Sequence, residues 1–270
     1  MEKSSMKENA YFYVYKTQIL KSLAYKFDVY GNIIMQTIIM IATAFFWKAL
    51  FQNAQTVQGV NVETMLVYTV ISSMISVVLT TNVEWRITES VKKGTIAVDM
   101  MRPVNIFKVF FAEELGNVTA LFFKNLLPVF IIGSILVKVP VPADGISFLL
   151  FLGSLMLAFF INWLLAVIFG MWAFSVIEMT SLIQVKKHLL RLLSGSMIPI
   201  WFFPDALRGI LECLPFVYIY QMPLDIYVGK YTTDSLVRGM VVQAVWLLVL
   251  YLLFRFFENR VTRKIMIQGG

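Results

Sequence analysis

Four basic or titratable side chains crowd one short stretch of this sequence: Lys186, Lys187, His188 and Arg191. Lys187 and Arg191 stand four apart, so on a helix they share a face and concentrate positive charge there. Facing a cavity, that face would attract an anionic substrate group or a lipid phosphate at a lateral entrance. At a membrane boundary the same residues would serve as a positive anchor. Lys124 is a second isolated cation, set inside an apolar run, where an ionisable group is costly unless it snorkels or finds a partner.

Other chemistry finds little material. His188 is the single histidine and Cys213 the single cysteine, so neither a zinc cluster nor a Cys/His nucleophile pair can be assembled within one copy, and no intrachain disulfide can form. Glu113 and Glu114 are adjacent, and neighbours on a helix point about 100 degrees apart, which makes a poor acid/base dyad. Asp205, Glu212 and Asp225 fall on one segment, but Pro215 and Pro223 lie between them, so convergence on a metal is not expected. The sequence has no G-x-x-x-x-G-K-[ST] loop, so no phosphate cradle for ATP is recognisable in it.

The elements that must position these residues are membrane helices. Long uncharged stretches such as 29–47, 64–83 and 146–177 are each enough to cross a bilayer. A spanning helix needs roughly 20 apolar residues, because hydrocarbon offers no partner to an unpaired amide. Composition agrees: 59% of residues are hydrophobic and 14% charged, with a mean hydropathy of +0.76. The net charge of +7 would suggest nucleic acid in a soluble protein, but here its distribution reports orientation, and no nucleic-acid partner is expected.

Spans are placed near 29–51, 63–83, 115–137, 147–174, 182–203 and 238–256, giving an all-α membrane protein with six crossings and both termini on one side. The fifth is the weakest, since its uncharged run from Leu192 to Pro204 covers only about 20 Å and must be extended back through the cation cluster. Most of the 23 Lys and Arg fall on the side of the termini; only Lys48, Lys138, Arg208, Lys230 and Arg238 fall opposite, which makes the terminal side cytoplasmic. Residues 1–27 suggest an interfacial helix, with Phe12, Tyr15, Ile19, Leu23 and Phe27 at helical spacing and lysines largely between them, or else an amphipathic helix packed on a partner. The polar first residues do not suggest a cleaved leader, so the first apolar helix is expected to act as the membrane address. Residues 204–230, broken by prolines and rich in tyrosine, suggest short helices dipping into the outer leaflet.

The longest cytoplasmic connection, 84–108, interleaves Glu89, Lys92, Lys93, Asp99 and Arg102 with Ile87, Val91, Ile96, Val98, Met100 and Met101. Such a mixture suits docking in a partner's groove, or a loop resting on lipid. Here Lys93-Gly94-Thr95-Ile96-Ala97-Val98-Asp99-Met100-Met101-Arg102-Pro103 resembles the Gly-Thr…Leu-Leu-x-x-Pro cytoplasmic segment of ABC-2 type permeases, the membrane subunits of ATP-binding-cassette exporters. Ser194-Gly195-Ser196-Met197-Ile198-Pro199, followed by Phe203-Pro204 and Leu214-Pro215-Phe216 through Pro223 and Gly229, is similar to that family's fifth span and outer re-entrant segment. Met100 and Met101 replace the commoner leucines but keep the apolar character.

The resemblance implies one permease domain over 1–270 in a bacterial plasma membrane, with a coupling helix in 84–108, a re-entrant segment in 204–230, and a path shared with a second copy or paralogue. It also implies separate ATPase subunits that bind ATP and magnesium, this chain holding no cofactor. Lys92, Lys93, Gly94, Asp99, Arg102 and Pro103 become the ATPase-coupling candidates, with Gly94 allowing a tight turn. Lys186, Lys187, His188 and Arg191 become substrate-path candidates. A secondary transporter or channel, and an integral-membrane lipid enzyme, stay open as rivals, although neither internal repeats nor clustered acids support them.

Overall fold

The computed structural model describes residues 2–24, 26–53, 55–136, 145–176 and 178–268. Met1 and Tyr25 of the expected interfacial segment, Val137 of the third expected span and Lys138 lie outside the described residues. Helices dominate. In chain order they are α1 (Glu2–Ala24), α2 (Lys26–Leu50), α3 (Val62–Leu79), α4 (Val83–Lys92), α5 (Thr95–Met101), α6 (Ile106–Leu121), α7 (Leu127–Leu136), α8 (Gly145–Met171), α9 (Thr180–Leu193), α10 (Asp205–Glu212), α11 (Val217–Val228) and α12 (Thr233–Gln268). A two-strand hairpin, β1 (Thr56–Val57) with β2 (Val60–Asn61), joins α2 to α3 and turns on Gln58 and Gly59, both at positive φ.

Among the described residues, five helical stretches are long and apolar enough to cross a membrane: Tyr30–Leu50, Val62–Lys92, Ile106–Ile135, Gly145–Phe174 and Thr233–Thr262. They correspond to the first, second, third, fourth and sixth expected spans. The expected fifth, 182–203, is not one helix. Helix α9 stops at Leu193, Ser194–Pro199 is irregular, and a single tight turn at Ile200–Phe202 leads to α10. Gly195 at φ +83 and Pro199, which offers no N–H, end the ladder there.

The 84–108 segment is mostly helical. Its first part is α4, with Val83, Glu84, Ile87, Thr88 and Ser90 buried, and it packs so closely on α8 that a Cβ on Gly170 would sit 3.0 Å from the Glu84 Cα. Residues 92–105 are mostly exposed apart from the buried Ile96, and Ile106 and Phe107 return the chain to the core. Between α6 and α7 the chain widens into one turn at Phe122–Leu126, in which the Leu127 N–H bonds back to the Phe122 carbonyl. Pro128, which has no N–H to offer the Lys124 carbonyl, accounts for the distortion.

Helix α1 lies lengthwise on α6. Tyr11, Tyr15, Gln18 and Ser22 make the contact: the Tyr11 hydroxyl accepts from the Asn105 N–H at 3.1 Å, and Tyr15 donates to Thr119 at 3.2 Å. Of the expected stripe Tyr15 joins this contact, while Phe12, Tyr13, Leu20 and Leu23 are left exposed. Gly116 permits the approach, since a Cβ there would meet the Tyr15 carbonyl oxygen at 2.6 Å. Gly116→Leu is therefore expected to lever α1 off α6, read as faster tryptic cleavage at Lys16 and Lys21 with the rest of the chain still protected. Unchanged cleavage would contradict the packing.

The main core forms where α3, α8, α11 and α12 meet. A fully buried Gln243 on α12 ties three of them, donating to the carbonyls of Ser154 and Tyr218 at 2.9 Å each and accepting from the Ser154 hydroxyl at 3.1 Å. Lipid exacts a high cost for unpaired polar groups, which explains this complete pairing. Contacts sort to two rims: Asn105 with Glu258 and Lys92 with Glu178 at one, Lys230 with the Gln58 carbonyl and Ser147 with Tyr231 at the other.

Candidate functional site

A polar cavity of about 260 Å³ opens between α2, α3 and α9. Its wall begins with a stripe on α3: Thr69, Ser72, Ser73, Ser76 and Thr80, spaced at three, four, seven and eleven from the first, and so on one helical face. Thr69, Ser73, Ser76 and Thr80 each donate to the carbonyl four residues back, at 2.7–2.9 Å, which lets a hydroxyl sit in a membrane helix without a remote partner. Thr43 on α2 does the same with the Ile39 carbonyl at 2.8 Å.

The irregular Ser194–Pro199 segment is stitched to its surroundings. Tyr68 donates to the Gly195 carbonyl at 2.6 Å and Ser72 to the Ser196 carbonyl at 2.6 Å, both from α3. From α11, the Gln221 N–H bonds to the Ser194 carbonyl at 3.0 Å, and the Gln221 Oε1 accepts from the Ile200 N–H at 2.9 Å. Non-helical backbone inside a membrane protein survives where protein buries it or a cavity borders it, and both conditions hold here.

At one end of the cavity sits Glu84, with no exposed side-chain surface. Its Oε2 is bonded by Lys186, while its Oε1 has no hydrogen-bond partner and stands 4.0 Å from the Lys187 ammonium. Lys186 also lies over the Phe169 ring and Lys187 over Trp85. Arg191, about one turn further along α9 than Lys187, lines the same wall. Thus three of the four expected path residues, Lys186, Lys187 and Arg191, border one cavity, and His188 is exposed and turned away from its lining.

The expected coupling residues gather on α5 and the end of α4. Gly94 adopts φ +71 and makes the tight turn into α5, and Arg102 ends that helix in extended conformation before Pro103. Lys93 pairs with Glu89 at 2.6 Å, Lys92 with Glu178 at 3.2 Å and Arg102 with Asp99 at 3.4 Å. The Thr180 hydroxyl and backbone N–H, with Lys92, hold the Glu178 carboxyl down to about 2, so that this tie between α4 and the α8–α9 connection persists until the pH falls toward that value. Two apolar side chains, Val98 at 60% and Met101 at 85% exposure, stand out on α5, whereas Ile96 turns inward.

Remaining candidates resolve structurally. Lys124 bonds to the carbonyl and hydroxyl of Ser22 at 2.7 Å, fastening α1. Glu113 pairs with Arg86 at 3.2 Å, while Glu114 accepts from Thr81 at 3.0 Å, so the two carboxylates diverge. Asp205 and Glu212 both face Arg208 on α10, and Asp225 on α11 accepts from Gln221 at 2.7 Å, in separate networks. Sequence reasoning missed Glu84, Tyr68 and Gln221 as site residues. The hydroxyl stripe on α3 was the available signal for the cavity, at 3.6-residue periodicity within an otherwise apolar span.

Residues 37–269 match the protein family described as "ABC-2 family transporter protein". No curated protein and no solved structure matches the chain.

Proposed function

Because the chain belongs to the ABC-2 transporter family and is a multi-pass membrane transport component, we propose that it is the permease subunit of an ATP-driven exporter in a bacterial plasma membrane. Two permeases, identical or paralogous, form the translocation path, and separate ATPase subunits bind ATP and magnesium below them. The chain crosses six times, the fifth crossing being the broken element from α9 through Ile200–Phe202, with α10 and α11 as the outer re-entrant segment. Both termini are then cytoplasmic, as the lysine and arginine distribution favours.

One observation carries this reading. Helix α4 begins at the cavity with Glu84 and ends at α5, whose exposed Val98 and Met101 are flanked by Lys93 and Arg102. Apolar anchors ringed by charge are the usual anatomy of a docking knob, and here the knob is one rigid helix away from the cavity. Nucleotide-driven closure of the ATPases would move α5, and α4 would carry that movement to the cavity wall.

The test is affinity purification of the tagged protein from its native membrane in mild detergent. An ATPase subunit in stoichiometric amount, hydrolysing ATP, is the expected result. Burying one such apolar side chain contributes about 1.5–3 kcal/mol, so Met101→Asp should cut the retained ATPase by about tenfold or more at normal membrane abundance. Lys93→Glu with Arg102→Glu should uncouple hydrolysis from transport. A clean oligomer lacking an ATPase, with transport intact, would refute the proposal.

A further inference from the structure

We propose that the cavity between α2, α3 and α9 receives the anionic head of its ligand, a phosphate or carboxylate that draws Lys187 from Glu84 and is met by Arg191. The inference deepens the permease reading and rests on it only for calling that ligand cargo.

Charge on the cavity wall is unbalanced. Glu84 is the one carboxylate lining it, against Lys186, Lys187 and Arg191. Lys186 is bonded to Glu84, and Lys187 stands 4.0 Å away from the other oxygen. Arg191 has no ion pair among the described residues. Lys187 is half-buried and Arg191 exposed on this wall, so an entering anion can reach and partner both. The Oε1 of Glu84 points the same way: a buried carboxylate oxygen with no hydrogen-bond donor marks a pair that is only half satisfied. A doubly charged phosphate can draw Lys187 away without leaving Glu84 unpaired, because Lys186 remains.

The rest of the wall suits an anion too. A serine or threonine hydroxyl donates one proton and can rotate it from a backbone carbonyl to an incoming oxygen. Ser73, Ser76 and Thr80 now spend theirs on carbonyls of their own helix and face the cavity with oxygen. They are donors in reserve. A cationic ligand would have to sit beside three positive charges for the sake of one carboxylate already bonded, so the lining selects against it.

The experiment places a single cysteine on the wall, Ser73→Cys or Ser76→Cys in a Cys213→Ser background, in inside-out membrane vesicles. Labelling rates are compared for a sulfonate and a trimethylammonium thiosulfonate reagent, each normalised to a free thiol. The anionic reagent should win by about tenfold or more, and Lys187→Gln with Arg191→Gln should abolish that preference. Protection is then tried with inorganic pyrophosphate, dihexanoyl phosphatidic acid and dihexanoyl phosphatidylcholine. Pyrophosphate protection supports a soluble anion; protection by phosphatidic acid, but by neither pyrophosphate nor phosphatidylcholine, supports a lipid head group. Equal rates for the two reagents, a preference that survives both substitutions, or no labelling at either cysteine would overturn the inference. Labelling requires no ATPase, so an ATPase-free oligomer that still prefers the anionic reagent would refute the exporter reading alone.

Discussion

Gly195→Ala is expected to destabilise the folded chain by about 3 kcal/mol or more, the sum of two costs. Gly195 holds φ +83, where an L side chain costs roughly 1–2 kcal/mol. Its new Cβ would also collide with the Gln221 Oε1. The Gln221 side chain cannot retreat cheaply, because it accepts from the Ile200 N–H and donates to Asp225, and each buried group it abandons costs about 1–3 kcal/mol. The readout is the apparent melting temperature in detergent, which should fall by roughly 10 °C. Gly153→Ala is the control, a helical glycine with no atom within 4 Å of its would-be Cβ. If both variants melt like the parent, the broken segment is not held in the way described.

The second large effect concerns Glu84 and Lys186. Removing one partner of a buried ion pair leaves the other charge stranded and typically costs about 3–5 kcal/mol. Glu84 is completely buried and Lys186 nearly so, at 15% exposure, so Glu84→Ala and Lys186→Ala should each be strongly destabilising. The pair Glu84→Leu with Lys186→Met, apolar on both sides, should regain most of the loss. The double-mutant cycle then yields a coupling of about 2 kcal/mol or more. Additive losses would mean that the contact contributes nothing of its own.

Five candidate spans were readable because an apolar run of sufficient length has few other uses. The elements that misled are those whose polar groups are satisfied from far along the chain. In residues 84–92 Glu84 is buried and matched by Lys186, and Arg86 is matched by Glu113, partners that no local pattern reveals. The expected fifth span fails as one helix for the same reason: its open carbonyls are met by Tyr68 and Ser72, more than 120 positions earlier in the chain. The shared face of Lys187 and Arg191 followed from spacing alone, since helical geometry fixes it. Whether that face met a cavity depended on α3, whose serines and threonines vanish when hydropathy is averaged over a span.

The short break at 80–82 has a mechanical consequence. Helix α3 ends at Leu79 and α4 starts at Val83, so α4 is a separate rod, set off from α3 at its cavity end and joined to α5 through Gly94. Ten residues at 1.5 Å each make that rod about 15 Å long. A pivot of about 10 degrees at the break therefore sweeps its far end by about 2.6 Å, while the Glu84 carboxylate, beside the pivot, shifts by only a small fraction of that. Such gearing turns a displacement of ångströms at α5 into a fine adjustment at the buried charges, and it runs equally well in reverse.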